Sequence, residues 1–470
     1  MKTAAIAVLT IALTGCLGPP YKTPPVAVPQ HWQESTTGVR EEQPPAAQWW
    51  STFGDDTLDE LIRDAVSNNL DLRAAAARVR EARALRGITA ARSNPQVDGV
   101  ALAAESQRSN AVPPFDSLPP GISFGDRRQE LFDLGFDASW EVDVFGGIRR
   151  DVEAAVAQVE AADEGQRDVQ VTLTAEVARN YVELRGAQKR LDVLDARIET
   201  LRETLDIVRA RQEGGLGNDL DVARSEALLQ DTMAARPSLE YASVAAVHRL
   251  AVLTGRQPGS LRERLASHAP IPIVPSELPI GIPGELIARR PDVRRAEREL
   301  AAATARIDVA RADLYPRIAL LGALGHRSDE AADLSRSISG YWSFGPVLRW
   351  PLLTGGRVHA KIDAQRARRD QAEAAFEQSV LRAFEDVENS LSGYGRDQRE
   401  RERLAEAVAA ERRAVDLADA RYRGGLDSFL AVLDAQRTLR DGEDRLAAAQ
   451  TRVALSAISL YKALGGGSSQ

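Results

Sequence analysis

The sequence predicts a mainly α-helical fold with two pairs of β-strands, arranged as a tandem duplication of helix, strand, strand, helix and helix. Three observations support this prediction. The chain matches itself at nearly constant offsets, strand-like alternation occurs in two places, and two long stretches without proline, 148–213 and 357–423, are typical of continuous helices. An aromatic content of only 5% fits long helices that pack through small side chains.

The N-terminus has the features of a bacterial secretory signal. A lysine precedes an apolar run, residues 4–13, that is too short to span a bilayer. The run ends in LTGC, which resembles the lipoprotein box and implies cleavage of a signal peptide, 1–15, before Cys16. The same resemblance implies a diacylglycerol and an N-acyl chain on Cys16, and Leu17 favours outer-membrane sorting. The alternative is an ordinary signal peptide with an unrelated cysteine.

The two copies of the duplication align along most of the chain. Residues 71–95 match 292–316 at an offset of 221, whereas Trp140 and later residues match Trp350 and its successors at an offset of 210. The change of offset falls in the polar stretch 106–130, whose counterpart in the second copy is shorter. Length variation of this kind marks an exposed loop.

The duplication divides the chain into a leader, two repeats and a linker. The predicted boundaries are 1–15 for the signal peptide, 16–54 for a lipidated extended segment, 55–255 for the first repeat, 256–284 for a proline-rich linker, 285–464 for the second repeat and 465–470 for a flexible C-terminus. The predicted strands are 95–105, 131–144, 317–326 and 341–353, and the predicted long hairpins are 148–255 and 357–464.

Each long hairpin is predicted to consist of two helices joined by a glycine pair. As single helices, 148–213 and 357–423 would each be about 100 Å long at 1.5 Å per residue. The returning helices are predicted over 219–255 and 427–464. Glycine adopts the left-handed conformation that ends many helices, so we expect the reversals at Gly214, Gly215, Gly424 and Gly425.

The strands have the alternation expected of membrane β-structure. In 131–144, apolar residues alternate with acidic or small ones, and 341–353 repeats the pattern. In a membrane this pattern is stable only in a closed barrel, because an open edge leaves backbone groups unpaired in lipid. The smallest such barrels use about eight strands, and this chain supplies about four, so several copies must share one barrel. The alternative is that these strands form the edge of a soluble β-sandwich.

Motifs that indicate catalysis are missing from the sequence. It contains no HExxH, GxxxxGK[ST] or GxSxG pattern, and its five histidines lack ligand spacing. A net charge of −8 gives no support for nucleic acid as a partner. The sequence therefore predicts a protein that is not an enzyme and that holds no cofactor and no metal.

Several segments of this sequence resemble those of the outer-membrane factors, which are TolC-like channels. The resemblance is strongest to the lipoprotein branch that works with multidrug efflux pumps. The matching segments are GPPY at 18–21, WWSTF at 49–53, RRPDV at 289–293, ARADLYP at 310–316 and RYRGGLDSFLAVLDAQ at 421–436. The resemblance implies a homotrimer with a twelve-stranded β-barrel in the outer membrane and a long α-helical barrel in the periplasm. It further implies a periplasmic adaptor protein and an inner-membrane efflux pump as partners of a passive exit duct for small molecules.

The resemblance also implies roles for residues near the hairpin turns. Leu430 and Asp434 lie four positions apart, hence on one helix face, and match the family's periplasmic constriction. Asp221 and Tyr422 match positions that brace the closed helices, and the glycine turns match the tip where the adaptor docks. Arg224, the repeat partner of Asp434, is a candidate for an ion pair with it. The alternative is that Leu430 and Asp434 belong to a solvated helix start.

Other functions stay open on the sequence alone. The chain could be the outer-membrane component of a type I protein secretion system, a periplasmic adaptor lipoprotein or a structural coiled-coil lipoprotein. An adaptor should have one hairpin between β-rich segments, whereas this chain has two hairpins in tandem. The expected location is the outer membrane, with a lipid anchor and an extension into the periplasm.

Overall fold

The computed structural model describes residues 21–34, 38–41, 47–109, 111 and 128–467. The predicted signal peptide and Cys16 lie outside these described residues. The chain forms two compact units, each built from separate stretches of sequence. Within the described residues, unit 1 consists of 21–24, 80–109, 111, 128–160 and 297–374, and unit 2 consists of 25–34, 38–41, 47–79, 161–296 and 375–467.

The described elements follow one another in the order that the duplication predicts. The helices are α1 (Asp56–Asn68), α2 (Leu70–Ala91), α3 (Gly147–Glu213), α4 (Asp219–Ala234), α5 (Arg236–Leu253), α6 (Arg262–Leu265), α7 (Pro283–Arg289), α8 (Pro291–Ala312), α9 (Arg357–Arg423) and α10 (Phe429–Ala463). The strands are β1 (Val39–Arg40), β2 (Gln96–Gln107), β3 (Arg128–Val142), β4 (Leu278–Pro279), β5 (Arg317–Ser328) and β6 (Gly340–Arg349).

Unit 1 contains an antiparallel sheet with the strand order β2-β3-β5-β6. The first copy supplies β2 and β3, the second copy supplies β5 and β6, and the central pairing of β3 with β5 joins the copies. Strand β6 ends at Arg349 rather than at the predicted residue 353, because Pro351 has no amide hydrogen for the ladder. Strand β3 likewise ends at Val142 instead of residue 144.

One face of this sheet is apolar and exposed. Trp342 is 81% exposed, and the same face carries Leu134, Phe136, Leu324 and Phe344, all of them exposed. On the opposite face, the Asp133 carboxylate accepts hydrogen bonds from the Arg327 guanidinium and the Tyr341 hydroxyl. The alternation read from the sequence thus separates an apolar face from a polar one.

The duplication is visible in matched contacts at both helix–strand junctions of unit 1. Trp140 donates its indole N–H to the Ser93 carbonyl over 2.9 Å. Trp350, 210 residues later, donates to the Leu314 carbonyl, 221 residues after Ser93, over 3.2 Å. The two offsets found in the sequence therefore describe equivalent positions in space.

An ion pair at the same junctions occurs in both copies with its charges exchanged. In the first copy Arg92 on the turn after α2 contacts Asp151 of α3 at 2.7 Å. In the second copy the equivalent positions hold Asp313 and Lys361, which contact each other at 2.6 Å. Each junction keeps a pair of opposite charges, but the acidic partner lies on the long helix in the first copy and on the turn before the strand in the second.

The long helices confirm one prediction and correct another. Helices α3 and α9 each run for 67 residues without interruption. The predicted single helix over 219–255 is wrong, since the chain forms α4 and α5 there with Ala235 between them. Pro237 lies in the first turn of α5, where its missing amide hydrogen is tolerated but would interrupt a continuous helix.

The last described residues of unit 2 are buried against aromatic residues. Trp49 is fully buried and stacks on Tyr461 with ring centroids 4.9 Å apart. Gly465–Gly467 are buried beside it, and Gln170 donates to the Gly467 carbonyl over 3.1 Å. The prediction of a flexible end over 465–470 is therefore wrong for 465–467, whose small size allows this packing, while 468–470 lie outside the described residues.

The segment that precedes the first repeat is held on unit 2 by a backbone carbonyl of the linker and by a side chain of the second repeat. Trp32 donates its indole N–H to the Gly281 carbonyl over 2.9 Å. The Glu388 carboxylate accepts from the backbone amides of Gln33 and Glu34 at 2.8 and 2.9 Å. The predicted extended segment 16–54 also contains a short 3-10 helix over its last residues. The predicted linker 256–284 includes α6, and β4 pairs in parallel with β1.

The ion pairs and the hydrogen bond of Arg290 join the start of α8 to α9 and to the end of α10. Arg290 contacts Asp292 at 2.7 Å and Asp386 at 2.9 Å, and it donates to the Ala463 carbonyl. Burial alone would raise the pKa of Asp292, but the hydrogen bonds from Arg290 outweigh it and hold this pKa below its usual range. The charged form of Asp292 is therefore the one that stabilises unit 2.

Candidate functional site

Both hairpins reverse through the same type of turn, in unit 2. Gly215 has φ +73°, and the amide of Leu216 donates to the Arg211 carbonyl over 2.8 Å. The equivalent bond in the second hairpin is 2.9 Å long and follows Gly425, which has φ +69°. A left-handed glycine with a bond reaching back five residues is the Schellman motif.

The four predicted turn glycines all lie at these reversals, but they play different parts. A Cβ on Gly214 or Gly424 would lie 3.4 Å from a backbone oxygen of the preceding helical turn, and neither has a positive φ. Gly215 and Gly425 need the left-handed conformation that other residues adopt only at a cost. The second glycine of each pair is therefore the one that the turn requires.

A cleft of about 630 Å³ next to the first turn brings residues of both hairpins together. Four of the residues singled out in the sequence line it: Asp221, Arg224, Tyr422 and Leu430. Arg211 and Phe429 also line it. The predicted constriction residue Asp434 lies one helical turn beyond Leu430 on α10. We call these seven residues the tip cluster.

Tyr422 links three helix ends within the tip cluster. Its ring centroid lies 5.2 Å from that of Phe429, and the Arg211 guanidinium lies over the ring at 4.7 Å. Phe429 also belongs to a buried apolar cluster with Val208, Val432 and Leu433. Tyr422 therefore ties the end of α9 to the end of α3 and to the start of α10.

Leu430 and Asp434 are both exposed on α10. Leu430 is 50% exposed, although Phe429 next to it in the sequence is buried. The Asp434 carboxylate lies 3.4 Å from Arg437 of its own helix. The candidate pair with Arg224 does not form within the described chain, since Arg437 is the arginine that contacts Asp434.

Asp221 lies in the first turn of α4. Its amide donates to the side chain of Asn218 over 2.9 Å, and its carbonyl accepts from the Ser225 hydroxyl at 2.8 Å. Asn218 thereby caps the helix, and an acidic side chain in the first turn also favours the helix dipole. These contacts fix the position of Asp221 at the edge of the cleft.

Sequence reasoning missed several residues that shape the tip cluster. Arg211 was not singled out, although it occupies the repeat position of Arg421. The Asp427 carboxylate hydrogen-bonds to Arg421 and raises the pKa of that guanidinium. Asn218 could have been recognised, since asparagine shortly before a helical run is a common N-cap. Phe429 gives no such signal, because its role depends on contacts with other helices.

Two further observations concern the described residues as a whole. No group of three or more His, Cys, Asp or Glu side chains among them is arranged to hold a metal ion. We also find no described helix that combines the length and the apolar character needed to cross a membrane.

Comparison with protein families gives a match over both repeats. The model described as outer membrane efflux protein matches residues 61–256 and 282–466. The pyoverdine export outer membrane protein OpmQ of Pseudomonas putida is 33% identical over 461 residues, covering 98% of this chain and 96% of the relative. The toluene efflux pump outer membrane protein TtgI of Pseudomonas putida is 32% identical, covering 97% of this chain and 96% of the relative.

Solved structures give the same result for the fold. The outer-membrane channel OprN aligns with a TM-score of 0.88 and 37% identity, covering 96% of this chain and 99% of the other. The open-state outer-membrane channel MtrE of Neisseria gonorrhoeae aligns with a TM-score of 0.83 and 28% identity, covering 96% and 98%. The similarity extends over both units and the whole duplicated architecture.

Proposed function

Because this chain belongs to the outer membrane efflux protein family, we propose that it is the exit duct of a tripartite efflux system. Three copies form the duct in the outer membrane and extend into the periplasm. A periplasmic adaptor and an inner-membrane pump complete the path and supply the energy. The duct itself conducts passively, and we propose that it catalyses no reaction and needs no metal or cofactor.

One observation supports this proposal more strongly than any other observation does. The sheet of unit 1 presents an apolar exposed face and, within the described residues, ends at β2 on one side and β6 on the other. An open sheet edge cannot face lipid, because its backbone groups would remain unpaired. Three copies of four strands close a twelve-stranded barrel, which has no edge left.

We propose that the tip cluster controls passage at the periplasmic end. Leu430 and Asp434 are exposed on one face of α10, as residues of a constriction must be. In a trimer, three Asp434 side chains around one axis would repel each other unless cations or partner groups neutralise them. Tyr422 and Asp221 hold the helix ends that carry this face, and the glycine turns present the surface on which the adaptor docks.

We further propose that Cys16 carries the lipid anchor. The LTGC sequence at residues 13–16 supports processing of this kind. A diacylglycerol and an N-acyl chain together bind a membrane stably, whereas a single acyl chain binds only marginally.

We propose small organic molecules as the cargo. OpmQ is named for pyoverdine export and TtgI for toluene efflux. Deleting the gene for this chain in its own host should raise the intracellular accumulation of a fluorescent efflux substrate such as ethidium. A plasmid copy should restore efflux, and unchanged accumulation would contradict the proposal. Loss of a secreted protein from the medium instead would favour the type I secretion alternative.

A further inference from the structure

Helix α10 has one exposed face that runs along the helix from the tip cluster. At 3.6 residues per turn, Asp434, Asp441, Arg445 and Arg452 lie within about 20° of one line along the helix. All four residues are exposed, whereas Tyr461, on the opposite side of the helix, is 1% exposed. We call this line of exposed residues the α10 stripe.

Other helices of the same chain cover two sides of α10. Arg190 of α3 contacts Asp444 at 2.6 Å, and Arg412 of α9 contacts Glu443 at 2.8 Å. Neither of these acidic residues belongs to the α10 stripe. Helices α3 and α9 therefore flank α10 and, within the described chain, leave the stripe uncovered.

The linker marks the outer side of α10. Its residues 268–276 line a cleft of about 1090 Å³ together with Gln450, which lies about 160° around the helix from Asp434. A segment that crosses the helices in this way would obstruct the proposed duct if it lay inside, so the linker lies outside. The α10 stripe, on the opposite side of the helix, therefore faces the bore of the duct.

The charge of the α10 stripe changes sign along the helix. Asp434 lies near the tip, and Arg445 and Arg452 lie farther from it. At 1.5 Å per residue, Arg445 is about 16 Å from Asp434. Charges exposed to water are largely screened beyond about 10 Å at 0.1 M salt. A passing ion therefore meets the two signs as separate zones.

Arg445 is the arginine of the α10 stripe whose charge is not balanced. Arg452 contacts the Glu400 carboxylate of α9 at 2.5 Å. Arg445 instead donates to the backbone carbonyl of Asp441 over 3.2 Å, and no carboxylate among the described residues forms an ion pair with it. Its positive charge therefore remains available to a molecule in the bore.

The carboxylates near Arg445 are engaged in other contacts. Asp441 contacts Arg440 at 2.9 Å. The two acidic residues that follow Gly442 contact the arginines of α9 and α3 described above. The Glu411 carboxylate of α9 lies against Gly442, where one of its oxygens is buried. These contacts leave the charge of Arg445 directed at the bore.

The first repeat places no second charge at the equivalent position. The counterpart of Arg445 is Ala235, which lies between α4 and α5. Arg236, next to it, forms ion pairs with Asp195 and Glu240. Each chain therefore contributes one such cation, and a trimer contributes three.

We propose that the three Arg445 side chains of a trimer form a cationic ring in the bore that favours the passage of organic anions. This inference rests on the proposed function and specifies its cargo class, which is small molecules that carry a carboxylate or a similar anionic group. A guanidinium binds a carboxylate through two parallel N–H donors. An anion that has passed the constriction is therefore stabilised at the ring, whereas a cation is repelled there.

Ion selectivity in planar bilayers tests the cationic ring, with benzoate as the organic anion. The measurement uses full-length trimers that carry Asp434→Ala, because this change removes the acidic ring that would otherwise dominate the selectivity. In a gradient of potassium benzoate, the reversal potential gives the permeability of potassium relative to benzoate. Adding Arg445→Gln should raise this ratio about three-fold or more, since three positive charges leave the bore. Adding Arg445→Lys instead should keep the ratio, because the charge is retained.

Arg262→Gln in the same Asp434→Ala protein is the matched control. It removes the same charge from an exposed position on α6, in the linker, and should leave the ratio unchanged. An unchanged ratio for Arg445→Gln, or an equal rise for Arg262→Gln, would overturn the cationic ring while the conductance of the trimers still supports the duct. A chain that native mass spectrometry shows to be monomeric, or trimers that do not conduct, would overturn both proposals.

Discussion

At the scale of single residues, Asp434 and Asp441 of α10 differ more in their positions along the helix than in their exposure. Asp434 contacts Arg437 at 3.4 Å, and Asp441 contacts Arg440 at 2.9 Å. Both are exposed and each has a neighbouring arginine, so local structure gives Asp434 no special role. Its proposed role arises only when copies are arranged around an axis and bring like charges together. These two residues therefore form a matched pair for experiment.

Asp434→Ala should raise the single-channel conductance of the purified protein in planar bilayers. Removing three carboxylates from a constriction releases the counter-ions that they bind there and that block the path. Asp441→Ala is the control and should leave the conductance unchanged. An unaltered conductance in both variants would place the constriction elsewhere.

Asp292 offers a second test at this scale, based on pH. The pKa of Asp292 is lower in the folded chain than in the unfolded chain. Its charged carboxylate therefore stabilises the fold fully above the pKa that Asp292 has when unfolded, and this contribution is lost as the pH falls through the pKa that Asp292 has when folded. Asp292→Asn should therefore lower the Tm at pH 7 and have a smaller effect near pH 3. Asp71, the exposed repeat counterpart, is the control. A Tm difference that does not vary with pH would contradict this role of the Asp292 charge.

At the scale of elements, the sequence predicts regular structure well and interruptions less well. Helices α3 and α9 were predicted nearly to the residue, because 67 positions without proline leave few alternatives. The break between α4 and α5 was missed although Pro237 was visible. The buried C-terminal glycines were missed for a different reason. Their environment is made by Trp49 and Tyr461, which are distant in sequence.

The turns of the hairpins allow a prediction that separates neighbouring glycines. Gly215→Ala should cost about 1–2 kcal/mol locally, because alanine is strained at positive φ. Hydrogen exchange of the Leu216 amide should then accelerate roughly 5–30-fold. Gly214→Ala should leave that amide nearly unchanged. Equal acceleration in both variants would show that the left-handed conformation is not what the turn requires.

At the scale of the whole molecule, the duplication explains why so much could be predicted. Each repeat provides an independent reading of the same architecture, and the matched bonds of Trp140 and Trp350 show that the sequence offsets hold in space. The number of copies in the duct could not be derived in this way. A repeat pattern shows how one unit joins the next, whereas closure depends on the rotation between units.

The proposed lipid anchor is tested on the whole molecule as well. Cys16→Ala should abolish labelling of the protein by radioactive palmitate in growing cells, because no other cysteine is present to be acylated. Trimers should still form, since the strand pairing that closes the proposed barrel does not involve the lipid. Persistent labelling of the variant would refute the lipoprotein interpretation.

The reversed charges at the two junctions of unit 1 affect which long helix each turn packs against as the newly made chain folds, because the two repeats are similar. If the turn after α2 packed against α9 instead of α3, Arg92 would face Lys361. If the turn after α8 packed against α3 instead of α9, Asp313 would face Asp151. Either mistake sets like charges where the correct pairs lie 2.7 and 2.6 Å apart. The reversed charges therefore disfavour the pairing of either turn with the long helix of the other repeat.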